Sequence, residues 1–244
     1  MIKDNEEAIL IETGRMTARL MHDFKNQLGG LKLYAAFLQK RFADNAEGVE
    51  VAEKIARGLS EMAEQATILN KLCRPLELRL AAGDPASVVE QVISGVGPKA
   101  EAKRVKITSN LEAGREPNAT TVSFDPRLIG EAIEAIILRA VDASSQNGQG
   151  GEIVISLSRF DETLRIEIKD DGAPLDDERR LSFFDPLAGD RLNRTALGLA
   201  MARRIVEGHG GQVSAQPGAS SGLAVGTIVE IRLPIADCGL RIAD

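Results

Sequence analysis

The clearest strand signal in this chain is Ile166-Glu167-Ile168-Lys169-Asp170-Asp171-Gly172. Apolar and polar residues alternate from Thr163 to Lys169, which predicts a strand with one buried face, and the following Asp-x-Gly predicts a turn. Residues 153–158 alternate in the same way, so the two stretches predict a β-hairpin. Helical patterns at 126–145 and 196–208 flank the hairpin. Further strands are predicted at 76–80, 105–109, 121–124, 211–215 and 226–233, with another helix at 84–96.

The first seventy residues have a different pattern, with apolar side chains at helical spacing and no proline. Two long helices are predicted, joined by a polar link at 44–48 into an antiparallel hairpin. The apolar seams consist of Leu10, Thr17, Met21, Phe24, Leu28, Leu31, Ala35, Leu38 and Phe42, and of Ala52, Ile55, Leu59, Met62, Ala66, Leu69 and Cys73. A single hairpin leaves these seams in water, so we predict a homodimer that forms a four-helix bundle.

A domain boundary is expected at Arg74-Pro75, because proline lacks the N–H that a continuing helix needs. We therefore predict a helical hairpin at 1–74, an α/β sandwich of helices on one mixed or antiparallel sheet at 75–235, and a tail at 236–244. The predicted fold class is α+β.

Composition narrows the classes of function. The 244 residues are 43% apolar and 27% charged, as in globular proteins, and the net charge of −6 without a basic cluster argues against a nucleic-acid partner. No apolar run is long enough for a membrane span, and the acidic N-terminus lacks the layout of a secretory signal, so a cytoplasmic location is expected. Cys73 and Cys238 give neither a disulfide framework nor a zinc spacing.

Candidate chemistry lies in the first helix, at His22-Asp23-Phe24-Lys25-Asn26. Phe24 is on the apolar seam, so His22 is expected on the solvent side, with Asn26 one turn further along the same face. An imidazole beside a carboxylate is a competent nucleophile for phosphoryl transfer, because the carboxylate offsets the charge that develops during attack. The alternative is an ordinary surface histidine. The second histidine, His209, is expected to belong to a helix end.

Five blocks, in order, resemble the catalytic core of the two-component sensor histidine kinases. In that family a dimerisation and histidine-phosphotransfer hairpin precedes a Bergerat-type ATP-binding domain. The similar blocks are the phosphoacceptor box at 22–26, the N box at 125–143, the first glycine box at 170–172, the F box at 183–186 and the second glycine box at 194–199.

The resemblance implies a role for several residues. His22 would be the phosphorylated nucleophile, Asp23 its acidic neighbour, and Asn26 the position that orients water when a partner is dephosphorylated. Asp170 would bind the adenine amino group, with Gly172 allowing close backbone approach.

The phosphate side of the nucleotide site would be formed by the second glycine box and the segment before it. Thr195 and Gly198 lie in that box, and residues 187–193 would be the ATP lid. Lid backbone followed by a helix N-terminus presents N–H groups and a positive dipole to phosphates.

Other positions depart from the family pattern. Arg139 stands where the family has the asparagine that holds Mg²⁺, and a guanidinium offers no oxygen ligand. Pro174, Arg194 and Ala196 replace glycines, which obstructs a phosphate cradle. We therefore predict no metal site in this chain. The alternative is that Arg139 or Arg191 replaces the metal by binding phosphates directly.

These patterns favour a histidine phosphotransferase that moves phosphoryl groups between His22 and aspartates of response-regulator receiver domains. Its partners would be a receiver domain and an upstream kinase or hybrid kinase. No cofactor would be required, and the receiver would supply Mg²⁺. One alternative is a sensor kinase that phosphorylates its own His22 from ATP. Another is a non-enzymatic coiled-coil scaffold.

Overall fold

The structure is a computed structural model that describes residues 2–111, 122–146, 148, 150–160, 163–186, 194–218 and 226–234, apart from the side chains of residues 2–16, 18 and 22. It divides into two compact units, Met1–Leu76 and Glu77–Asp244, with the division two residues after the predicted boundary. The predicted lid at 187–193 and tail at 236–244 lie outside the described residues.

The first unit is a helical hairpin of α1, Ile2–Arg41, and α2, Ala46–Cys73. The side chain of Asn45 caps α2 by accepting a hydrogen bond from the Gly48 N–H at 3.2 Å. Small and medium seam residues are buried between the helices: Leu28, Ala35, Ala52 and Ala66. In contrast, Leu31 stays 49% exposed in the single chain. The predicted homodimer would cover such residues, and it stays a prediction.

The second unit is a five-stranded sheet with helices on it, together with a separate pair of short strands. Its elements are β1 (Ala81–Gly83), α3 (Pro85–Ala102), β2 (Val105–Asn110), β3 (Val122–Phe124), α4 (Pro126–Ser144), β4 (Gly151–Phe160), β5 (Thr163–Asp170), α5 (Asp177–Leu181), α6 (Arg194–Gly208), β6 (Gln212–Pro217) and β7 (Thr227–Pro234). The sheet order is β2-β4-β5-β7-β6, and β1 pairs with β3. Among the described strands, β2 and β4 are the one parallel pair. The α+β prediction is confirmed.

Alternation along the central strands creates the core of this unit. Ile155, Ile168 and Val229 are neighbours in register on β4, β5 and β7, and all three are buried. Helix α4 contributes a continuous apolar face, with Ile133 and Ile136 fully buried. Because β5 lies between β4 and β7, its carboxyl end falls in the middle of the sheet edge.

Several predicted boundaries are wrong. Residues 76–80 are not a strand, although leucines alternate there; the backbone N–H of Arg79 donates to the Asp125 carboxylate at 3.0 Å, and the strand starts at Ala81. Helix α3 continues through Pro98 to Ala102, beyond the predicted end at 96. The five-residue α5, capped by Asp176, is too short to show a period. None of the described helices has the length and apolarity to cross a membrane.

Candidate functional site

The candidate site centres on Asp170, the last residue of β5. Its side chain is 1% exposed. One carboxylate oxygen, Oδ1, accepts hydrogen bonds from the backbone N–H groups of Gly172 at 3.0 Å and Thr227 at 3.4 Å. The other, Oδ2, pairs with the Nη1 atom of Arg139. Both oxygens of this buried carboxylate are therefore engaged by the chain itself.

Arg139 reaches Asp170 from α4 and contacts two further elements. Its Nη2 donates to the Thr227 hydroxyl at 3.0 Å, and its guanidinium carbon lies 4.8 Å from the centroid of the Phe183 ring. A cation at that distance from an aromatic ring is attracted by the π electrons. The guanidinium, whose side chain is 16% exposed, thus connects α4 with β5, β7 and the segment after α5.

Burial and charge act in opposite directions on this pair. Burial raises the pKa of the Asp170 carboxyl, while the positive charge of Arg139 and the N–H groups of Gly172 and Thr227 work against that shift. Burial likewise lowers the pKa of Arg139, against the attraction of Asp170. Arginine starts from so high a pKa that its guanidinium stays protonated, so each group supplies the charge that makes burial of the other tolerable.

The turn after Asp170 is packed against α4. A Cβ on Gly172 would lie 2.8 Å from the Ala143 Cβ and 2.9 Å from the Asp170 Oδ1. Real Cβ atoms do not approach that closely, so only glycine fits here. The space above Gly172 is thus filled by the chain's own atoms.

The second glycine box forms the first turns of α6. Thr195 is half-buried there, and a Cβ on Gly198 would lie 3.4 Å from the Ala135 Cβ, so Gly198 lets α6 pack closely on α4. Arg191 lies outside the described residues. Nucleotide contacts by Thr195, Gly198 and Arg191 stay predictions.

The phosphoacceptor box lies on α1, in the other compact unit. Asp23 and Asn26 are exposed, and the side chain of His22 is outside the described part of the helix. The roles of His22, Asp23 and Asn26 stay predictions.

Sequence reasoning missed two members of the cluster around Arg139. Thr227 was assigned no role, and Phe183 was recognised as part of the F box without its arginine partner. A signal for the pairing exists, because an arginine between apolar residues of a strongly apolar helix needs a buried acidic partner. Gly226 is another signal: a Cβ there would meet the Asp170 carbonyl oxygen at 1.7 Å, so β7 must begin against Asp170.

His209 belongs to the end of α6, as predicted. Gly210, the next residue, has φ of 72°, the left-handed conformation of a helix cap. The ring accepts a hydrogen bond at Nε2 from the Asp125 N–H at 3.0 Å, and Nδ1 lies 2.7 Å from the Ile205 carbonyl oxygen, to which it donates in that tautomer. His209 therefore holds α6 to the start of α4.

The residues around Arg139 do not fit bound Mg²⁺. A guanidinium gives the ion no oxygen ligand and repels it. The described residues also contain no cluster of three or more His, Cys, Asp or Glu side chains that could hold a metal.

Comparison with known proteins identifies the second unit. Residues 124–237 match the family described as histidine kinase-, DNA gyrase B-, and HSP90-like ATPase. The C4-dicarboxylate transport sensor protein DctS of Rhodobacter capsulatus is 27% identical over 235 residues, which is 94% of this chain and 35% of DctS. The chain is related to the catalytic core of the two-component sensor histidine kinases. It spans less than half the length of the curated relatives it matches, among them sensor histidine kinases.

Solved structures share the fold of this histidine kinase-like chain. Full-length ShkA in complex with AMPPNP has a TM-score of 0.72 at 20% identity, covering 91% of this chain and 46% of ShkA. The histidine kinase ThkA in complex with the response regulator protein TrrA has a TM-score of 0.66 at 19% identity, covering 97% of this chain and 67% of the other. The family match and the curated relatives confirm the resemblance seen in the sequence motifs, and the solved structures confirm the fold.

Proposed function

We propose that this chain is a phosphotransfer protein of two-component signalling, in which His22 exchanges a phosphoryl group with aspartates of response-regulator receiver domains. The relationship to sensor histidine kinases supports this, as does the complex of ThkA with a response regulator. The exposed Asp23 and Asn26 on α1 supply polar groups beside the phosphoacceptor position. An upstream kinase or hybrid kinase and a homodimer belong to the same proposal.

In the proposed transfer, the P–O bond of a receiver aspartyl phosphate breaks and a P–N bond to the His22 imidazole forms. The receiver aspartate leaves as a carboxylate, and Asp23 offsets the positive charge that develops on the imidazole. Mg²⁺ belongs to the receiver, and the contribution of this chain is positioning. Asn26 would orient water for dephosphorylation of the receiver, so Asn26→Ala is expected to spare transfer and slow dephosphorylation.

The observation that carries the choice of a receiver as phosphoryl source is the ion pair between Arg139 and Asp170. It occupies the carboxylate that the family resemblance assigns to adenine. A protein whose adenine acceptor is already bonded internally is better suited to receive phosphoryl groups from a receiver than from ATP.

A second candidate is ATP-dependent autophosphorylation of His22. The comparisons favour this candidate more directly than the first, because the matched domain family is an ATPase family and the curated relatives include sensor histidine kinases. It requires that Arg139 leave Asp170, or that adenine bind elsewhere.

Two labelling reactions test both candidates with the full chain. In the first, the chain is mixed with a receiver carrying labelled aspartyl phosphate; in the second, with γ-labelled ATP and Mg²⁺. Each uses His22→Gln and, as a matched control on the same helix, Lys32→Gln at an exposed position. Acid-labile label from the receiver on wild type and Lys32→Gln, absent from His22→Gln, supports the proposal. Label that comes from ATP alone establishes the second candidate. Label from neither source contradicts both candidates and favours the non-enzymatic coiled-coil scaffold.

A further inference from the structure

We propose that Arg139 is a built-in ligand of the ATPase-family domain. Its guanidinium pairs with the Asp170 carboxylate, the acceptor that an adenine amino group would use. The domain therefore excludes adenine nucleotides, and its nucleotide site is closed by its own arginine side chain. This inference concerns the second unit alone and does not depend on the chemistry of His22.

The first step of the argument is the hydrogen-bonding capacity of Asp170. A purine amino group donates N–H and must find a buried acceptor to offset its loss of water. Here Oδ1 accepts from two backbone N–H groups, and Oδ2 accepts from Arg139. A neutral amino group that approached Oδ2 would have to share that oxygen with the charge-assisted bond from Arg139, which is the stronger of the two.

The other fully buried acidic residues offer no substitute, and Asp171 Oδ1, which has no hydrogen-bond partner, is enclosed beside Gly151 and Ser144. Among the residues that the structure describes, the buried acidic side chains are Asp125, Asp170 and Glu230. Asp125 caps α4, accepting from the Leu128 N–H at 3.0 Å, and also binds the Arg79 N–H. Glu230 pairs with two arginines of the sheet, Arg165 and Arg232. Each of these three carboxylates in the described part of the chain already accepts hydrogen bonds from, or pairs with, groups of the protein.

Displacing Arg139 would break several contacts at once. The ion pair to Asp170, the hydrogen bond to Thr227 at 3.0 Å and the stacking on Phe183 come from three separate segments. Each terminal nitrogen of the guanidinium donates one of these bonds, so moving Arg139 toward a nucleotide phosphate would break them. The state with Arg139 displaced is consequently a minor one. The apparent affinity for any adenine ligand equals the affinity of that open state multiplied by the small fraction of molecules that are open.

The lost affinity can be estimated from the contacts. Separating a buried ion pair is strongly unfavourable, so we expect a closed state favoured by about 100-fold or more, and an equal reduction in affinity. ADP without Mg²⁺ is the probe, because it tests adenine recognition without the metal.

The experiment is calorimetric titration of ADP into the full chain. It compares wild type with Arg139→Asn, which removes the guanidinium and leaves Asp170 available. The control is Arg127→Asn, which removes an exposed arginine of the same helix that pairs with Glu131. Circular dichroism and thermal melting establish that each variant is folded.

The expected result is no saturable binding of ADP by wild type and Arg127→Asn up to about 1 mM, and binding by Arg139→Asn that is at least about 100-fold tighter. Tight ADP binding by wild type overturns the proposal. A folded Arg139→Asn that still fails to bind also overturns it, because Arg139 is then not the obstacle.

Loss of Arg139 could unfold the domain by stranding Asp170. Arg139→Gln is the second variant, since its amide keeps one donor for Asp170 while removing the cation, and it is expected to gain affinity in the same direction. Should neither variant fold, the melting temperature of wild type with and without ADP decides. A rise with ADP overturns the proposal, and an unchanged midpoint supports it.

Discussion

Replacing Arg139 with methionine, which keeps much of the apolar stem, leaves the Asp170 carboxylate buried without a cation. The Asp170 side chain is only 1% exposed, and it retains the hydrogen bonds from the backbone N–H groups of Gly172 and Thr227. Breaking one partner of a buried ion pair costs about 3–5 kcal/mol. The carboxyl can avoid that cost by folding in its protonated form, which sets a ceiling on the loss.

The ceiling follows from proton linkage. An aspartate is ionised in the unfolded chain above about pH 4, so folding with a protonated Asp170 at pH 7 costs about 4 kcal/mol. The native variant then holds a proton that the unfolded chain lacks, so its stability falls as pH rises, by about 1.4 kcal/mol per pH unit between pH 5 and 7. In wild type, burial also raises the pKa of Asp170, but the charge of Arg139 opposes that shift. The contribution of Asp170 to the change of stability with pH is therefore smaller in wild type than in the variant.

Urea unfolding followed by far-UV circular dichroism measures this at pH 5, 6 and 7. We expect Arg139→Met to lose about 3–4 kcal/mol relative to wild type at pH 7 and clearly less at pH 5. Arg127→Met, at an exposed ion pair on the same helix, should change stability by less than about 0.5 kcal/mol. A loss from Arg139→Met that does not vary with pH would refute the reasoning, because Asp170 would then not be the group that titrates.

Three further expectations follow from the packing. Gly172→Ala should destabilise the second unit, because its Cβ would lie 2.8 Å from the Ala143 Cβ; a melting temperature equal to wild type would contradict that packing. Gly29→Ala, whose Cβ meets nothing within 4 Å in the hairpin, should stabilise α1 by about 0.5–1 kcal/mol in urea unfolding, and any loss would indicate a contact that the single chain lacks. His209→Ala should cost about 1–3 kcal/mol, because the Asp125 N–H loses its acceptor, and unchanged hydrogen exchange at that amide would argue against the bond.

Sequence patterns were sufficient where one face of an element is buried. The alternation in residues 153–158 and 163–169 predicted β4 and β5, and the apolar face of residues 126–145 predicted α4. Sequence patterns did not predict the secondary structure where the backbone is hydrogen-bonded to a side chain far away in the sequence. Arg79 illustrates this, since its N–H is bonded to Asp125, 46 residues away, and local alternation carries no information about that partner.

The candidate site was predictable in its members but not in its pairing. Asp170 and Arg139 were both singled out, each for a contact with an absent nucleotide or metal. Their contact with each other joins residues 31 positions apart, and it depends on how α4 crosses the end of β5. Thr227 enters for the same tertiary reason, through strand pairing of β7 with β5.

The most direct measurement is a crystal structure of the full chain grown with excess ADP. The Arg139 guanidinium is predicted to lie against Asp170, Thr227 and Phe183, with no adenine between α4 and the end of β5. An adenine amino group bonded to Asp170, with Arg139 turned away, would contradict the conclusion that this domain is closed by its own arginine.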